Sequence, residues 1–364
     1  MRTIHDLPTP ALLLDAAVLE RNLRRMQERT RELGVSLRPH LKTHKCVEIA
    51  RAQTALGAEG VTVSTLYEAR VFADHGFEDI TWAFPLPAAR ASDVAELGRD
   101  CRLGVVLDHD SAVDALEASE ADVAVWLKVD CGYGRAGLSP TSGELARLAA
   151  RVSASTRLSF AGLLSHSGHA YHARSPRDAA RIGESERSVM VGAARSLAAS
   201  GIPVRAVSVG STPTLAHVRD YEGVSEVRPG NYALYDFTQV ALGSCGPEDC
   251  AATVLATVVS SHRDRNRSII DAGALALSLD PGPKHVKPSY GRLYDVSGST
   301  GGLRHNARLV SLSQEHGIVD RPLPVASRVR VLPNHSCLTI ACFDAYHVVE
   351  GEQVVDSWRI WRGR

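Results

Sequence analysis

The amino-acid sequence predicts an α/β protein, a TIM-like (β/α)8 barrel followed by a C-terminal all-β domain. Three observations carry this. Up to residue 240, eight short runs of almost unbroken apolar and β-branched residues alternate with segments of helical spacing. Those helical segments end at glycine, as helix C-termini commonly do. From residue 241 the helical rhythm stops, and strand runs follow one another across turns. Strands apolar on both faces suit parallel strands covered by helices, and eight such units favour a closed barrel over the alternative, a doubly wound open sheet.

In chain order, a helical pattern over 16–33 precedes the runs VSLRPHLK (35–42), GVTVST (60–65), DITWAF (79–84), RLGVVLD (102–108), DVAVWLKVD (122–130), LSFAGLLSH (158–166), VRAVSVGS (204–211) and VSEVRPGNY (224–232). The stretches between them, such as CVEIARAQTALG, TLYEARVFADHG and PRDAARIGESERSVMVGAARSLAASG, carry the helical period. The second domain reads as strands in CAATVLATVVSSHR, RSIIDAGALALS, ARLVSLSQEHGIV, SRVRVLPNHSCLTIACF and AYHVVEGEQVVDSWRIW, with EGEQ as a hairpin turn. TPALLLD precedes the first helix and has no place among the eight units, so it is expected to join the β-domain. The expected division is a barrel over 16–240 and a β-domain over 241–364, joined by a strand from residues 1–15.

Composition removes several function classes. The 364 residues carry 41 basic and 41 acidic side chains, so nothing in the net charge draws the chain to nucleic acid or to a membrane surface. No apolar run is long enough to span a bilayer, and the N-terminus lacks the pattern of a secretory leader. Seven cysteines in no paired spacing argue for reduced thiols, and the expected compartment is the cytoplasm.

The segment RPHLKTHK places Lys42 at the C-terminal end of the first barrel strand, the face on which barrel enzymes collect their catalytic residues. A lone lysine there reads first as a solvated rim charge. Its company changes that reading. The loop after strand seven holds Gly210, Ser211 and Thr212, and strand eight ends in Arg228, Pro229, Gly230, Asn231 and Tyr232. Small residues with free backbone N–H groups in these two loops make the usual phosphate cradle of such barrels. A phosphate on one side and an electrophilic carbon facing an amine on the other specify pyridoxal 5'-phosphate, whose aldehyde condenses with lysine.

Taken together, RPHLKTHK, VDCGYGRAG (129–137), HSGHAYH (166–172), GSTPT (210–214), EVRPGNYALYD (226–236), SQEHG (313–317) and PNHSC (333–337) resemble the fold-type III pyridoxal phosphate enzymes of the D-threonine aldolase and D-serine dehydratase group, relatives of alanine racemase. The resemblance runs through both domains in one order. It implies a barrel plus β-domain acting as a homodimer on a small D-amino acid. It also makes Lys42, rather than Lys45, the Schiff-base lysine, with His40 beside it in the same motif. Arg135 matches the arginine near the cofactor's phenolic oxygen, where a guanidinium holds that oxygen as an anion. His166 and Tyr171 follow strand six on the catalytic face, placed to pack on the ring or hold substrate.

His335 and Cys337 form the expected metal pair. In a β-strand residues i and i+2 share a face, so imidazole and thiolate can meet one ion. Taken alone, the pair reads more simply as a buried thiol and a paired histidine. The resemblance implies instead a divalent metal beside the cofactor, with His-x-Cys the dehydratase pattern, favouring zinc over manganese, and His-x-Asp the aldolase pattern. The expected reaction is dehydration of a D-3-hydroxy amino acid such as D-serine or D-3-hydroxyaspartate to a 2-oxo acid and ammonia. The alternative is retro-aldol cleavage of a D-threonine-like substrate; an amino acid racemase or a non-catalytic pyridoxal phosphate carrier leaves the metal pair idle. Arg174, Arg177 and His172 read as a solvated helix start that could also receive a second substrate carboxylate, and Cys342 reads as core.

Overall fold

A computed structural model describes residues 2–295 and 303–364, the side chains of 295 and 303–306 aside. It divides into two compact units. One comprises Met1–Arg25, Thr43–Glu48 and Asn231–Arg362; the other comprises Met26–Lys42, Ile49–Gly230 and Gly363–Arg364.

The first strand, β1 (Ala11–Asp15), belongs to the sheet of the first unit. The second unit is built on β2 (Ser36–Leu37), β3 (Val61–Val63), β4 (Asp79–Pro85), β5 (Arg102–Leu107), β6 (Ala124–Lys128), β7 (Ser159–Leu164), β8 (Ala206–Val209) and β9 (Glu226–Val227). All are parallel, and β3 to β9 pair in sequence with β2 added beside β9. A bridge between His40 and Thr62 joins β2 to β3 and closes the ring, as the eight apolar runs predict. Prolines 39 and 229 lack an N–H, which cuts β2 and β9 to two residues each. Their carbonyls still serve: Pro229 O accepts from His40 N at 2.9 Å and Pro39 O from Thr62 N at 2.8 Å.

Each of β2 to β8 is followed by a helix, and the starts are capped as their sequences indicate. Thr65 Oγ1 accepts from Glu68 N at 3.1 Å, and Ser142 and Ser175 do the same for Leu145 and Asp178. Gly76 and Gly201, at positive φ, follow the ends of helices Leu66–Asp74 and Pro176–Ala199. No described helix is long and apolar enough to cross a membrane.

In the other unit, β10 (Ala252–His262), β11 (Arg267–Ile270), β12 (Gly291–Asp295), β13 (Leu303–Leu312), β14 (Gly317–Val319), β15 (Arg328–Pro333), β16 (Ala345–Glu350) and β17 (Gln353–Arg359) form, with β1, one nine-stranded sheet. β10 pairs with β11, β15 and β1, so six strands close through β10 and β1, β16 and β17 extend from it. TPALLLD thus lies between β10 and β16, where Ala11 and Leu13 pack with Ile4, Leu7, Leu255 and Val349.

Three strand assignments need correction. Only the proline of PNHSC is in a strand: β15 stops at Pro333, and His335 is the N-cap of a short helix, Ser336–Ile340. His335 and Cys337 therefore do not share a strand face; a helical turn brings them together. GALALS contains a helical turn, Ala274–Leu277, after β11. Cys342 follows the Ser336–Ile340 helix, is partly exposed, and donates to Leu338 O at 3.4 Å, so it is not core.

Candidate active site

The cations of RPHLKTHK go different ways. Arg38 is buried and spent on structure: its Nε donates to Glu226 at 2.8 Å and its Nη1 to Asp79 at 2.7 Å. Lys42 lies in a tight turn, Leu41–Thr43, beyond β2. His40 is the residue that bridges β2 to β3. In the other unit His44 is fully buried, its Nδ1 accepting from Cys46 N at 3.2 Å, and Lys45 sits at φ 50°.

At the C-terminal ends of the barrel strands, Lys42 shares its field with three further cations. Burial first, then the charges of Lys42, Lys128, Arg135 and Arg228, hold His166 well below its ordinary value, so its imidazole is neutral. Lys128, the last residue of β6, is buried; that burial, with Arg228 next, pushes its ammonium down to about 7. Arg228 is buried too, donating to Ser208 Oγ and to the Ser165 carbonyl. Ser208 Oγ donates onward to Glu226 at 2.6 Å. A continuous polar chain therefore runs through the barrel interior from Arg228 by Ser208, Glu226 and Arg38 to Asp79, which Arg102 also contacts at 2.7 Å.

Glu186 organises the loops above the strands. It lies on the inward stripe of helix Pro176–Ala199 and is 1% exposed. Ser165 Oγ and Ser167 Oγ donate to its two oxygens at 2.7 and 2.6 Å, and Gly210 N at 3.3 Å. One carboxylate thus ties the loop after β7 to the loop after β8. The loop after β6 is fixed by Asp130 Oδ1, which accepts from the backbone N–H groups of Gly132, Tyr133 and Gly134. That loop places Arg135 5.1 Å over the Tyr133 ring, and Tyr133 stacks on His169 and meets His166 edge-on. Tyr171 follows in the turn Gly168–His172. His172, Arg174 and Arg177 are exposed at the start of the next helix, as their sequence suggests.

Gly210, Ser211 and Thr212 are buried in the turn after β8, with Gly210 at φ 99° and Ser211 bonded to Thr214. After Gly230 the chain enters the other unit, where Asn231 and Tyr232 are buried. The Asn231 amide nitrogen donates to Asp236 at 2.6 Å and to Ser336 Oγ at 2.9 Å, while its buried Oδ1 has no partner among the described residues.

In the β-unit, His335 Nδ1 lies 2.9 Å from Asp280 Oδ2, and the Cys337 thiol is 3.3 Å from Thr43 Oγ1. Burial opposes the charged form of His335, but the Cys337 thiolate and Asp280 outweigh it and push the imidazole up to about 11. The buried Asp236 accepts from Ser336 N at 2.9 Å and fixes the start of the helix that carries Cys337. Among the described residues, no cluster of three or more histidine, cysteine or acidic side chains is placed to hold a metal, so His335 and Cys337 stand as a pair.

Both donor sets fit the groups they are expected to hold. Lys42, Lys128, Arg135 and Arg228 gather positive groups around His166, which suits a phosphorylated, phenolate-bearing cofactor. An imidazole against a thiolate, backed by carboxylates, suits a borderline-soft divalent cation. Sequence reading missed Lys128, Glu186, Ser208, Arg228 as a buried partner, Asp236 and Asp280. Glu186 did leave a signal: it stands on the apolar stripe with Ile182 and Met190, four residues to either side, where an unpaired carboxylate is not tolerated.

An eight-stranded barrel with a strand-end lysine and a following β-unit defines the alanine racemase-like class of barrel. Residues 14–236 match the family model described as "Alanine racemase, N-terminal domain", and residues 251–349 the one described as "Putative serine dehydratase domain". A D-threo-3-hydroxyaspartate dehydratase of Delftia sp. (strain HT23) is 36% identical over 99% of each chain. A D-serine dehydratase of Dictyostelium discoideum is 35% identical over 98% of this chain and 97% of its own. Among solved structures, a cysteine-to-alanine mutant of D-threo-3-hydroxyaspartate dehydratase in the metal-free form superposes with a TM-score of 0.94, 34% identical and covering all of both chains. The chain belongs to this family of fold-type III pyridoxal phosphate enzymes, with an alanine racemase N-terminal domain and a serine dehydratase domain.

Proposed function

We propose that the protein is a pyridoxal phosphate- and divalent metal-dependent lyase that dehydrates a D-3-hydroxy amino acid, D-serine or D-3-hydroxyaspartate in type, to a 2-oxo acid and ammonia. The observation that carries this reading is the contact of His335 with Cys337, an imidazole and a cysteine sulfur brought together by the turn after β15. Matches to two dehydratases along nearly the whole chain support it.

Lys42, His40, Arg135, His166, Tyr171 and the backbone of Gly210, Ser211, Thr212, Gly230, Asn231 and Tyr232 are the residues assigned to the cofactor. Bound there, pyridoxal phosphate supplies an electron sink for the bonds at the substrate Cα. The N–H groups of Gly210 and Ser211 already donate to Glu186 and Thr214, so the phosphate is assigned to the backbone that follows them at Thr212 and to the Gly230 loop, and the Arg135 guanidinium is assigned to the phenolic oxygen, held as an anion. Lys42 Nζ takes the Cα proton. His166, within the field of Lys42 and held neutral, adds nothing to the positive charge there. His335 and Cys337 hold the metal, zinc by preference over manganese, which supplies a Lewis acid for the β-hydroxyl leaving group.

The protein is placed in the cytoplasm, in keeping with its free cysteines. It is assigned as a homodimer: Leu275, Leu279 and Leu338, 57, 65 and 45% exposed, surround Asp280 and Cys337 in the chain and suit cover by a second copy.

The test is a product assay on purified protein with pyridoxal phosphate and zinc or manganese, offering D-serine, D-3-hydroxyaspartate and D-threonine in parallel. A 2-oxo acid and ammonia are expected. Glycine plus an aldehyde would move the protein to the aldolase branch.

A further inference from the structure

The metal pair has a built support that nothing in the spacing of PNHSC discloses. The Nδ1 of His335 lies 2.9 Å from Asp280 Oδ2. A carboxylate only accepts, so Nδ1 is the donor in this contact and Nε2 is the ring nitrogen left to face an ion. Asp280 is itself immobilised. Its other oxygen accepts from Gly282 N at 2.8 Å, and its backbone carbonyl accepts from the side-chain amide of Asn334 at 2.9 Å. Asn334 immediately precedes His335. The two segments therefore grip each other twice: the side chain of 280 holds the ring of 335, and the side chain of 334 holds the backbone of 280. Gly282 permits this closeness, since at φ 78° a Cβ there would stand 3.0 to 3.3 Å from the Asn334 amide.

From this geometry we infer that Asp280 is a positioning residue for the metal: it fixes the tautomer and rotation of His335 so that Nε2 faces the ion, and it places a negative charge behind the ligand. The inference rests on the reading of His335 and Cys337 as the metal pair. Carboxylates that orient a metal-bound imidazole are worth 10- to 100-fold in metal affinity. A purely structural aspartate would instead affect folding alone.

The experiment measures the zinc dissociation constant by competition with a chromophoric chelator, on cofactor-loaded wild type, Asp280→Asn and Asp280→Ala, with thermal unfolding followed on the same samples. About 10- to 100-fold weaker zinc binding is expected for Asp280→Ala. Asp280→Asn, whose amide oxygen still accepts from Nδ1–H but carries no charge, is expected to fall between it and wild type. It also serves if the alanine variant does not fold. The absorbance of the bound cofactor is expected to persist in both. Zinc affinity equal to wild type in a folded variant overturns the inference even if the unfolding temperature drops. Should wild type bind zinc no better than His335→Ala, the reading of the metal pair fails first, and the role of Asp280 with it.

Discussion

At the C-terminal end of the barrel the ionisable groups gathered around His166 are mostly cations, Lys42, Lys128, Arg135 and Arg228, whereas those behind His335 are carboxylates, Asp236 and Asp280. The first group is held by strands and by loops tied to one carboxylate, Glu186; the second is held by turns that grip each other. Positive groups predominate in the first arrangement and acidic ones in the second. The sign that predominates indicates the ligand: an anion at the barrel end, a cation at the β-unit turn. On the proposed reading one chain carries two sites with opposite electrostatic demands, and each can be broken by its own substitutions.

The largest effect is expected from Lys42→Ala, which on the proposed reading removes both the cofactor's covalent partner and the base. Turnover of D-3-hydroxyaspartate should fall about 10⁴-fold, the upper range for losing a positioned base, in a coupled assay of 2-oxo acid release. Glu186→Gln should come next. It leaves Lys128 and Arg228 buried without their shared counter-charge and loosens two loops, a loss of about 3 kcal/mol or more by urea unfolding. An unchanged midpoint would show that the loops are held elsewhere.

Cys337→Asp sharpens the comparison at the other site. It exchanges a soft ligand for a hard one, so zinc binding should weaken by about tenfold while some metal is retained. The proportion of glycine and aldehyde among the products should rise. An unchanged proportion would mean that ligand identity does not choose the pathway.

The smallest effect concerns pH. Lys128 titrates near 7 in the folded protein, below its ordinary 10.5. Between these values the folded chain holds fewer protons than the unfolded one, so cofactor-free protein should gain stability as pH rises from about 7 toward 10.5. Lys128→Met should flatten that rise, read by urea unfolding at pH 6.5 and 9.5. A slope unaffected by the substitution would place the proton elsewhere.

The barrel was legible because its strands are short, mostly apolar and separated by helices with recognisable ends; β2 and β9, cut to two residues by proline, keep one apolar residue each, Leu37 and Val227. The turn at His335 was not. Pro333 ends a strand whose following residues alternate plausibly, and the helix there depends on Asp236, a hundred residues away in the chain. The polar chain from Arg228 to Asp79 was equally hidden, because a serine and a glutamate inside apolar strands look like interruptions until their partners are placed across the barrel. Asp280 lay within an Asp-Pro-Gly turn, and only the contact with His335 distinguishes it from ordinary turn chemistry.

The claim that two independent, oppositely charged sites serve one reaction is tested most directly by assaying zinc content and borohydride-sensitive cofactor absorbance together in purified Lys42→Ala, Lys45→Ala, His335→Ala and Cys337→Ala. Lys42→Ala should lose the absorbance and keep its zinc, the two β-unit variants should lose zinc and keep the absorbance, and Lys45→Ala should keep both. Absorbance that survives Lys42→Ala but vanishes in Lys45→Ala, or zinc that remains in both His335→Ala and Cys337→Ala, would contradict it.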